Sequence, residues 1–190
     1  MSPAEIWLVV AGVLAVLVWL TWSRANRLDR LHRKVSATRA TLDTQLVRRA
    51  AVAAELAGSG RLDPVTGVLL ADGAFEALGI DRWDEAEEGR REEVESGLTA
   101  ILRTTLDDPD EVAAIRAEPI GVALLDDLAQ AWYRVQLARR FHNEAVAQAQ
   151  RVRRKLVVRA VRLAGHAPMP HTIEIDDSWP SALPKPGSVT

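Results

Sequence analysis

The 190-residue sequence contains no cysteine, one tyrosine and two phenylalanines. The absence of cysteine excludes disulfides, thiolate metal sites and a cysteine nucleophile, but it does not identify the cellular compartment. Aromatic residues make up only 5% of the chain, whereas Ala, Leu and Arg, which favour helices, recur throughout. The composition therefore predicts an all-α protein.

Motifs for common chemistries are also absent. The sequence has no G-x-x-x-x-G-K-[ST] loop for phosphates and no G-x-S-x-G nucleophile elbow. Adjacent acidic pairs such as Asp126-Asp127 and Asp176-Asp177 are predicted to be solvated, because neighbours on a helix point about 100° apart. Asp29-x-x-His32 occurs once and lacks the paired Glu-x-x-His of a di-iron bundle. We therefore predict no enzyme activity, no cofactor and no metal, and the net charge of −2 gives no case for nucleic-acid binding.

A long apolar segment lies near the N-terminus. From Ile6 to Trp22 the chain reads IWLVVAGVLAVLVWLTW, with no charged residue and no proline. About 17 helical residues with a rise of roughly 1.5 Å each are just long enough to cross a hydrocarbon core. Trp7 at one end and Trp19 at the other suit the two membrane interfaces. We predict a transmembrane anchor over residues 1–23, in preference to a buried core helix or a cleaved signal peptide.

Positive charge is distributed unevenly around this segment. No lysine or arginine precedes it, whereas Arg24, Arg27, Arg30, Arg33 and Lys34 follow it at once. The positive-inside rule predicts a single-pass cell-membrane protein with its N-terminus outside and the rest of the chain in the cytoplasm. An extracytoplasmic domain is the alternative.

Apolar residues at helical spacing continue through residues 24–165. The first soluble helix is predicted to end at Gly58-Ser59-Gly60, and Asp63-Pro64 begins a short helix. Further helices are expected from about Asp84 to Leu106, from Pro109 to about Glu118, and from Pro119 to near Gly165. Amphipathic helices with short connections predict an antiparallel helical bundle. Residues 166–190 are rich in proline and lack helical period, so we expect a flexible or extended tail that folding does not require.

Two of the helical segments resemble the signatures of the LemA family of bacterial membrane-anchored helical proteins. Residues Leu42–Arg49 (LDTQLVRR) resemble the first signature, and Leu137–Val146 (LARRFHNEAV) resembles the second. His142 stands where the family usually has Tyr, and Leu156-Val157 stands where it has Phe-Pro. The resemblance implies an up-and-down four-helix bundle without established catalysis.

The second of these segments has two physical interpretations. Arg140 and Asn143 are three residues apart on one helical face, as are Arg139 and His142. A polar clamp across the bundle is one interpretation, and in the other Arg139 and Arg140 reach solvent while Phe141 packs. The residues of the candidate clamp are Arg48, Arg49, Arg139, Arg140, His142 and Asn143.

Basic residues crowd the end of the longest helix. They complement a helix C-terminus and keep it soluble, or they contact anionic lipid headgroups. The candidate lipid-contact residues are Arg151, Arg153, Arg154, Lys155, Arg159 and Arg162. From these features we predict a membrane-anchored scaffold or interaction protein whose partners are membrane lipid and other proteins, and a homo-oligomer is also allowed. A lipid-associated structural protein that uses the basic helix end is the alternative.

Overall fold

The computed structural model describes residues 2–80, 88–154 and 168–187, and within helices it leaves out the side chains at 4–6, 9, 17, 21, 24, 25 and 88. The described ranges contain five helices and no strand, which confirms the predicted all-α class. The helices are α1 (Pro3–Gly58), α2 (Pro64–Gly79), α3 (Glu88–Leu106), α4 (Pro109–Arg116) and α5 (Pro119–Arg153).

Most of the described helix ends lie where local sequence predicts them. The predicted start of α3 near Asp84 and the predicted end of α5 near Gly165 lie outside the described residues. α1 ends at Gly58, and Gly60 adopts a φ of 70°, a left-handed conformation that glycine accepts without strain. The Asp63 carboxylate accepts hydrogen bonds from the Val65 and Thr66 amides at 3.0 and 3.1 Å and caps α2. Asp108 caps α4 in the same way, through the Asp110 amide at 2.9 Å.

The predicted N-terminal anchor is helical, since it forms the first part of α1. Among the residues that the structure describes, no helix is both long enough and apolar enough to cross a membrane. Several side chains of the predicted anchor lie outside the described part of the chain. The anchor therefore stays a prediction.

The chain divides into two compact units, of which the first comprises Met1–Thr38 and Asn143–Thr172. Here Leu28 and Leu31 of α1 are buried, as the helical spacing predicts. Three small side chains of α5 are also buried in this unit: Ala145, Val146 and Ala149. The Lys34 ammonium donates to the Gln148 side-chain oxygen at 3.5 Å.

The second unit comprises Arg39–His142 and Ile173–Thr190 and contains the larger apolar core. Side chains from all five helices contribute to it, including Leu56, Leu70, Leu102, Ile115 and Trp132. Each of these is fully buried, and burial of one such side chain contributes about 1.5–3 kcal/mol.

Two glycines allow helices of this unit to approach closely. A Cβ at Gly73 of α2 would lie 2.8 Å from the Ile101 terminal methyl of α3. A Cβ at Gly121 would overlap the backbone carbonyl oxygen of Ile115. The α4–α5 junction therefore requires a residue without a side chain at position 121.

α2 corrects one sequence-based expectation. Hydrophobicity alone predicts that Val68, Leu69 and Phe75 pack inward, but all three are exposed. The smaller Ala74 and Ala77 are buried instead, together with Leu70. The reason is the close α2–α3 contact, which only small side chains permit at the points nearest α3.

The C-terminal segment corrects a second expectation. Residues 168–180 are not helical, as predicted, but Ile173, Ile175 and Leu183 are buried in the second unit. Ile173 and Ile175 pack with Leu42, Leu46 and other α1 and α5 side chains. We therefore withdraw the expectation that this segment takes no part in folding for residues 173–183, which we call the C-terminal strap.

Candidate functional site

A buried set of charges joins α1 to α3 in the second unit. The Arg49 guanidinium donates to the Glu95 carboxylate at 2.9 Å, to the Glu95 carbonyl at 3.1 Å and to the Thr99 hydroxyl at 2.9 Å. The Arg49 and Glu95 side chains are both 0% exposed. A buried charge needs such partners, because transfer from water is costly for an unpaired ion.

Arg91 extends this set to a second acidic residue. Its Nε lies 3.0 Å from the other Glu95 carboxylate oxygen, as an ion pair rather than a well-directed hydrogen bond. Its Nη2 donates to Asp43 at 3.3 Å, and its Nη1 donates to the Ile80 carbonyl at 3.0 Å. Two arginines and two carboxylates therefore neutralise one another, in an arrangement suited to fixing helix register rather than to proton transfer.

The guanidinium of Arg49 also lies over an aromatic ring. Its central carbon is 5.5 Å from the Trp132 ring centroid, within cation–π range. Trp132 in turn lies 5.7 Å from Trp179 of the C-terminal strap, with the two ring planes inclined at 45°. Trp132 therefore contacts both the buried charges, through Arg49, and the strap, through Trp179.

The strap runs alongside α3 and parallel to it. The Glu174 amide donates to the Glu92 carboxylate at 2.7 Å, and the Asp176 amide donates to the Ser96 hydroxyl at 3.0 Å. Further along, the Ser181 amide donates to the Asp107 carboxylate at 2.7 Å. Side chains of α3, and of Asp107 directly after it, thus satisfy backbone donors that an extended segment leaves free.

Asp177 connects the strap to α5. Its two carboxylate oxygens accept from Arg139 Nε and Nη2 at 2.8 Å each, a bidentate pair. Its backbone carbonyl accepts from Trp132 Nε1 at 3.2 Å and from the side-chain Nε2 of Gln136 at 2.6 Å. Bidentate arginine–carboxylate pairs are stronger and more directional than single ionic contacts.

The Asp176 carboxylate accepts hydrogen bonds from Ser178, two residues later in the same turn. Hydrogen bonds from the Ser178 hydroxyl and amide lower the pKa of the Asp176 carboxyl below its ordinary value. Burial opposes this effect, and the positive charges of Arg103 and Arg139 add to it. Asp176 and Asp177 were expected to be a solvated pair, and for Asp177 the structure corrects that expectation.

The structure distributes the candidate clamp residues over several contacts. Arg49 bonds to α3 and Arg139 bonds to the strap, whereas the exposed Arg48 lies 3.8 Å from the Asp127 carboxylate. Arg140 is exposed, His142 is buried and Asn143 is half-buried. Phe141 was expected to pack in the alternative interpretation, but it is 56% exposed.

The basic end of α5 is described only up to residue 154. Arg151 and Arg154 are exposed, and the Arg151 guanidinium donates to the Ala147 carbonyl at 3.2 Å. Arg153 donates to the Pro168 carbonyl. Lys155, Arg159 and Arg162 lie outside the described residues.

Sequence reasoning missed Glu95, Arg91 and Asp177 as site residues. Glu95 lies three and seven residues before Leu98 and Leu102, hence on the apolar face of α3, where a charge needs a partner. Ile173-x-Ile175 alternates as a half-buried extended segment does. Both signals were present in the sequence, but neither identifies the residues that Glu95 or the strap contacts.

The described residues contain no group of three or more His, Cys, Asp or Glu side chains placed to hold a metal ion. Two surface hollows lie along the α2–α3 seam, of about 450 and 280 Å³. No family model, no curated protein and no solved structure matches the chain.

Proposed function

We propose that this chain is a LemA-like membrane-anchored protein that presents an up-and-down helical bundle to protein partners at the membrane. The observation that carries the proposal is the exposure of apolar side chains around the first part of α1. The exposed residues include Trp7, Leu8, Val10, Val13, Leu14, Val16, Val18, Trp19 and Trp22.

The angular distribution of these residues supports a lipid environment. At about 100° per residue, Trp7, Leu8 and Val13 point to three different sides of the helix. A helix that is apolar on every side is buried in protein or in lipid. Since these side chains are exposed, lipid is the environment we propose, for a segment without charge or proline from Ile6 to Trp22.

The charges that follow favour one orientation. Arg27, Arg30, Arg33 and Lys34 are exposed on the part of α1 that follows the apolar segment. We propose that this flank, and the second unit with it, faces the cytoplasm.

Binding is favoured over catalysis because three arginines of the second unit are already paired. Arg49, Arg91 and Arg139 contact Glu95, Asp43 and Asp177, so their charges are already neutralised within the fold.

A second candidate function is contact with anionic headgroups through the basic end of α5, which the exposed Arg151 and Arg154 favour.

Membrane fractionation with sidedness labelling tests the proposal. The protein should remain in the membrane fraction after high salt and carbonate. With no native cysteine to interfere, Ser2→Cys should react with a membrane-impermeant thiol reagent in spheroplasts, whereas Glu111→Cys on α4 should react only after lysis. Release by carbonate would refute the anchor, and labelling of Glu111→Cys before lysis would refute the orientation.

Contact with headgroups is tested separately. If the basic end of α5 binds lipid, Arg151→Ser with Arg154→Ser should weaken association of the chain with anionic vesicles at low salt. Unchanged association would refute this second candidate function.

A further inference from the structure

The outer side of α2 exposes four apolar side chains. Val65 and Val68 are each 70% exposed, Phe75 is 64% exposed and Leu69 is 56% exposed. Positions 65, 68, 69 and 75 lie on one side of a helix, together with the exposed Asp72 and Glu76. The four apolar side chains therefore form a stripe that two carboxylates interrupt. Several exposed apolar side chains on one side of a helix mark an interaction site more often than an isolated apolar residue does.

The fold of the unit does not account for this stripe. α2 is held to α3 by its opposite side, where Leu70, Ala74 and Ala77 are buried and Gly73 allows close contact. Polar residues on the outer side would leave those contacts unchanged. The stripe is therefore not needed to complete this core.

The seam between α2 and α3 provides space for anchoring side chains beside the stripe. The hollow of about 280 Å³ is lined by Thr66, Leu69, Ala100, Ile101, Thr104 and Thr105. The hollow of about 450 Å³ also includes Ile101 and continues past Gly73 to Glu76 and Glu93. We call the stripe and these two hollows together the α2/α3 face.

The charges at this face indicate the sign of its partner. α2 contains Asp72 and Glu76 and no lysine or arginine. Glu93 adds a third carboxylate in the larger hollow, against one base, Arg90, among the residues that line it. This negative charge within and beside the stripe disfavours anionic lipid and a second copy of the same face, and it attracts cationic side chains.

We propose that the α2/α3 face binds an amphipathic helix of a partner protein that presents apolar residues flanked by lysine or arginine. The stripe from Val65 to Phe75 extends over roughly 15 Å, or about three helical turns, which suits apolar anchors at i, i+3, i+4 and i+7 of the partner. This inference rests on the proposed function, because it names the kind of partner that the anchored protein presents its bundle to.

A binding measurement on the full chain in phosphatidylcholine nanodiscs tests this. Thr104→Cys, at the rim of the smaller hollow, carries an environment-sensitive fluorophore. The probe is a helical peptide of about 18 residues, long enough to form a helix on binding. It has leucine at i, i+3, i+4 and i+7 and lysine on the flanks. A peptide with glutamate in place of lysine is the matched probe.

The lysine peptide should bind at least about tenfold more tightly than the glutamate peptide, and this ratio should fall as salt is raised. Leu69→Glu and Phe75→Glu should each weaken binding about tenfold or more. Val47→Glu, at an exposed apolar position of α1, should change binding less than about twofold. Peptide partition into lipid is the same for all variants and cancels in this comparison.

Several results would overturn the proposal. Equal binding of the two peptides would remove the charge argument, and unchanged binding by Leu69→Glu would place the peptide elsewhere. A blue shift of the fluorophore's emission when the protein is reconstituted into nanodiscs without peptide would show that the face contacts lipid. A doubling of the protein mass that Leu69→Glu abolishes would assign it to a second copy. Fractionation tests the membrane anchor independently, so the two failures are distinguishable.

Discussion

Arg49 of α1 and Glu95 of α3 form a fully buried ion pair with an N–O distance of 2.9 Å. The pair fixes the register of two helices that are far apart in sequence, because Arg49 also bonds to the Glu95 carbonyl and to Thr99 one turn later. Apolar packing tolerates small shifts between helices, whereas this set of directional bonds does not.

Removal of one partner should destabilise the fold strongly. Arg49→Met leaves Glu95 buried with one fewer counter-charge, and we expect a loss of about 3–5 kcal/mol in the free energy of unfolding. Arg48→Met, at the adjacent exposed position, should change it by less than about 0.5 kcal/mol. Urea unfolding of the full chain in detergent, followed by circular dichroism, measures both. Equal effects of the two substitutions would show that the buried pair does not form.

The C-terminal strap should contribute to stability. Ile175→Ala removes a buried side chain from the cluster with Leu42 and Leu46, and we expect a loss of about 2–4 kcal/mol. Glu174→Ala, at the neighbouring exposed position, should change stability by less than about 0.5 kcal/mol. The loss of stability caused by truncation after Ala167 should exceed the loss caused by Ile175→Ala. A truncated chain as stable as the full one would show that the strap is not docked in solution.

Gly121 should not tolerate a side chain. Gly121→Ala places a methyl group against the Ile115 carbonyl oxygen, so α4 or α5 must shift and the melting temperature should fall markedly. Gly97→Ala is the matched control, since a Cβ there meets nothing within 4 Å. That substitution should instead stabilise α3 by roughly 0.5–1 kcal/mol. Similar melting temperatures for the two variants would contradict the close approach.

The cap of α2 should make stability depend on pH. Hydrogen bonds from Thr66 and from the Val65 amide lower the pKa of Asp63 below its ordinary value of 3.8. A lowered pKa means that the stabilisation is present above the unfolded-state value and is lost as the pH falls through the folded-state value. Asp63→Ala should therefore lower the melting temperature at pH 7, with a smaller difference below pH 3.8.

Asp63→Asn is the control for this effect, because asparagine caps a helix without a titrating charge. The difference in melting temperature between Asp63→Asn and Asp63→Ala should not change with pH. A difference between wild type and Asp63→Ala that stays constant from pH 7 to below pH 3.8 would show that the Asp63 charge does not stabilise α2.

Local sequence by itself determined the helices and most of their ends. Asp63-Pro64 and Asp108-Pro109 begin α2 and α4, and Gly58 ends α1, because caps, fixed proline φ angles and glycine act within one turn. The apolar positions of α1 were predictable in the same way, since burial of Leu42, Leu46 and Leu56 follows their helical period.

Only the tertiary structure decided how these elements meet. The partners of Arg49 and Arg139 lie 46 and 38 residues away in sequence, and no spacing rule connects them. The inner side of α2 was decided by the close contact at Gly73 rather than by hydrophobicity alone, so Val68, Leu69 and Phe75 face outward. The strap has too little local pattern to order itself, and it is ordered because α3 and α5 supply a ready surface with hydrogen-bond partners.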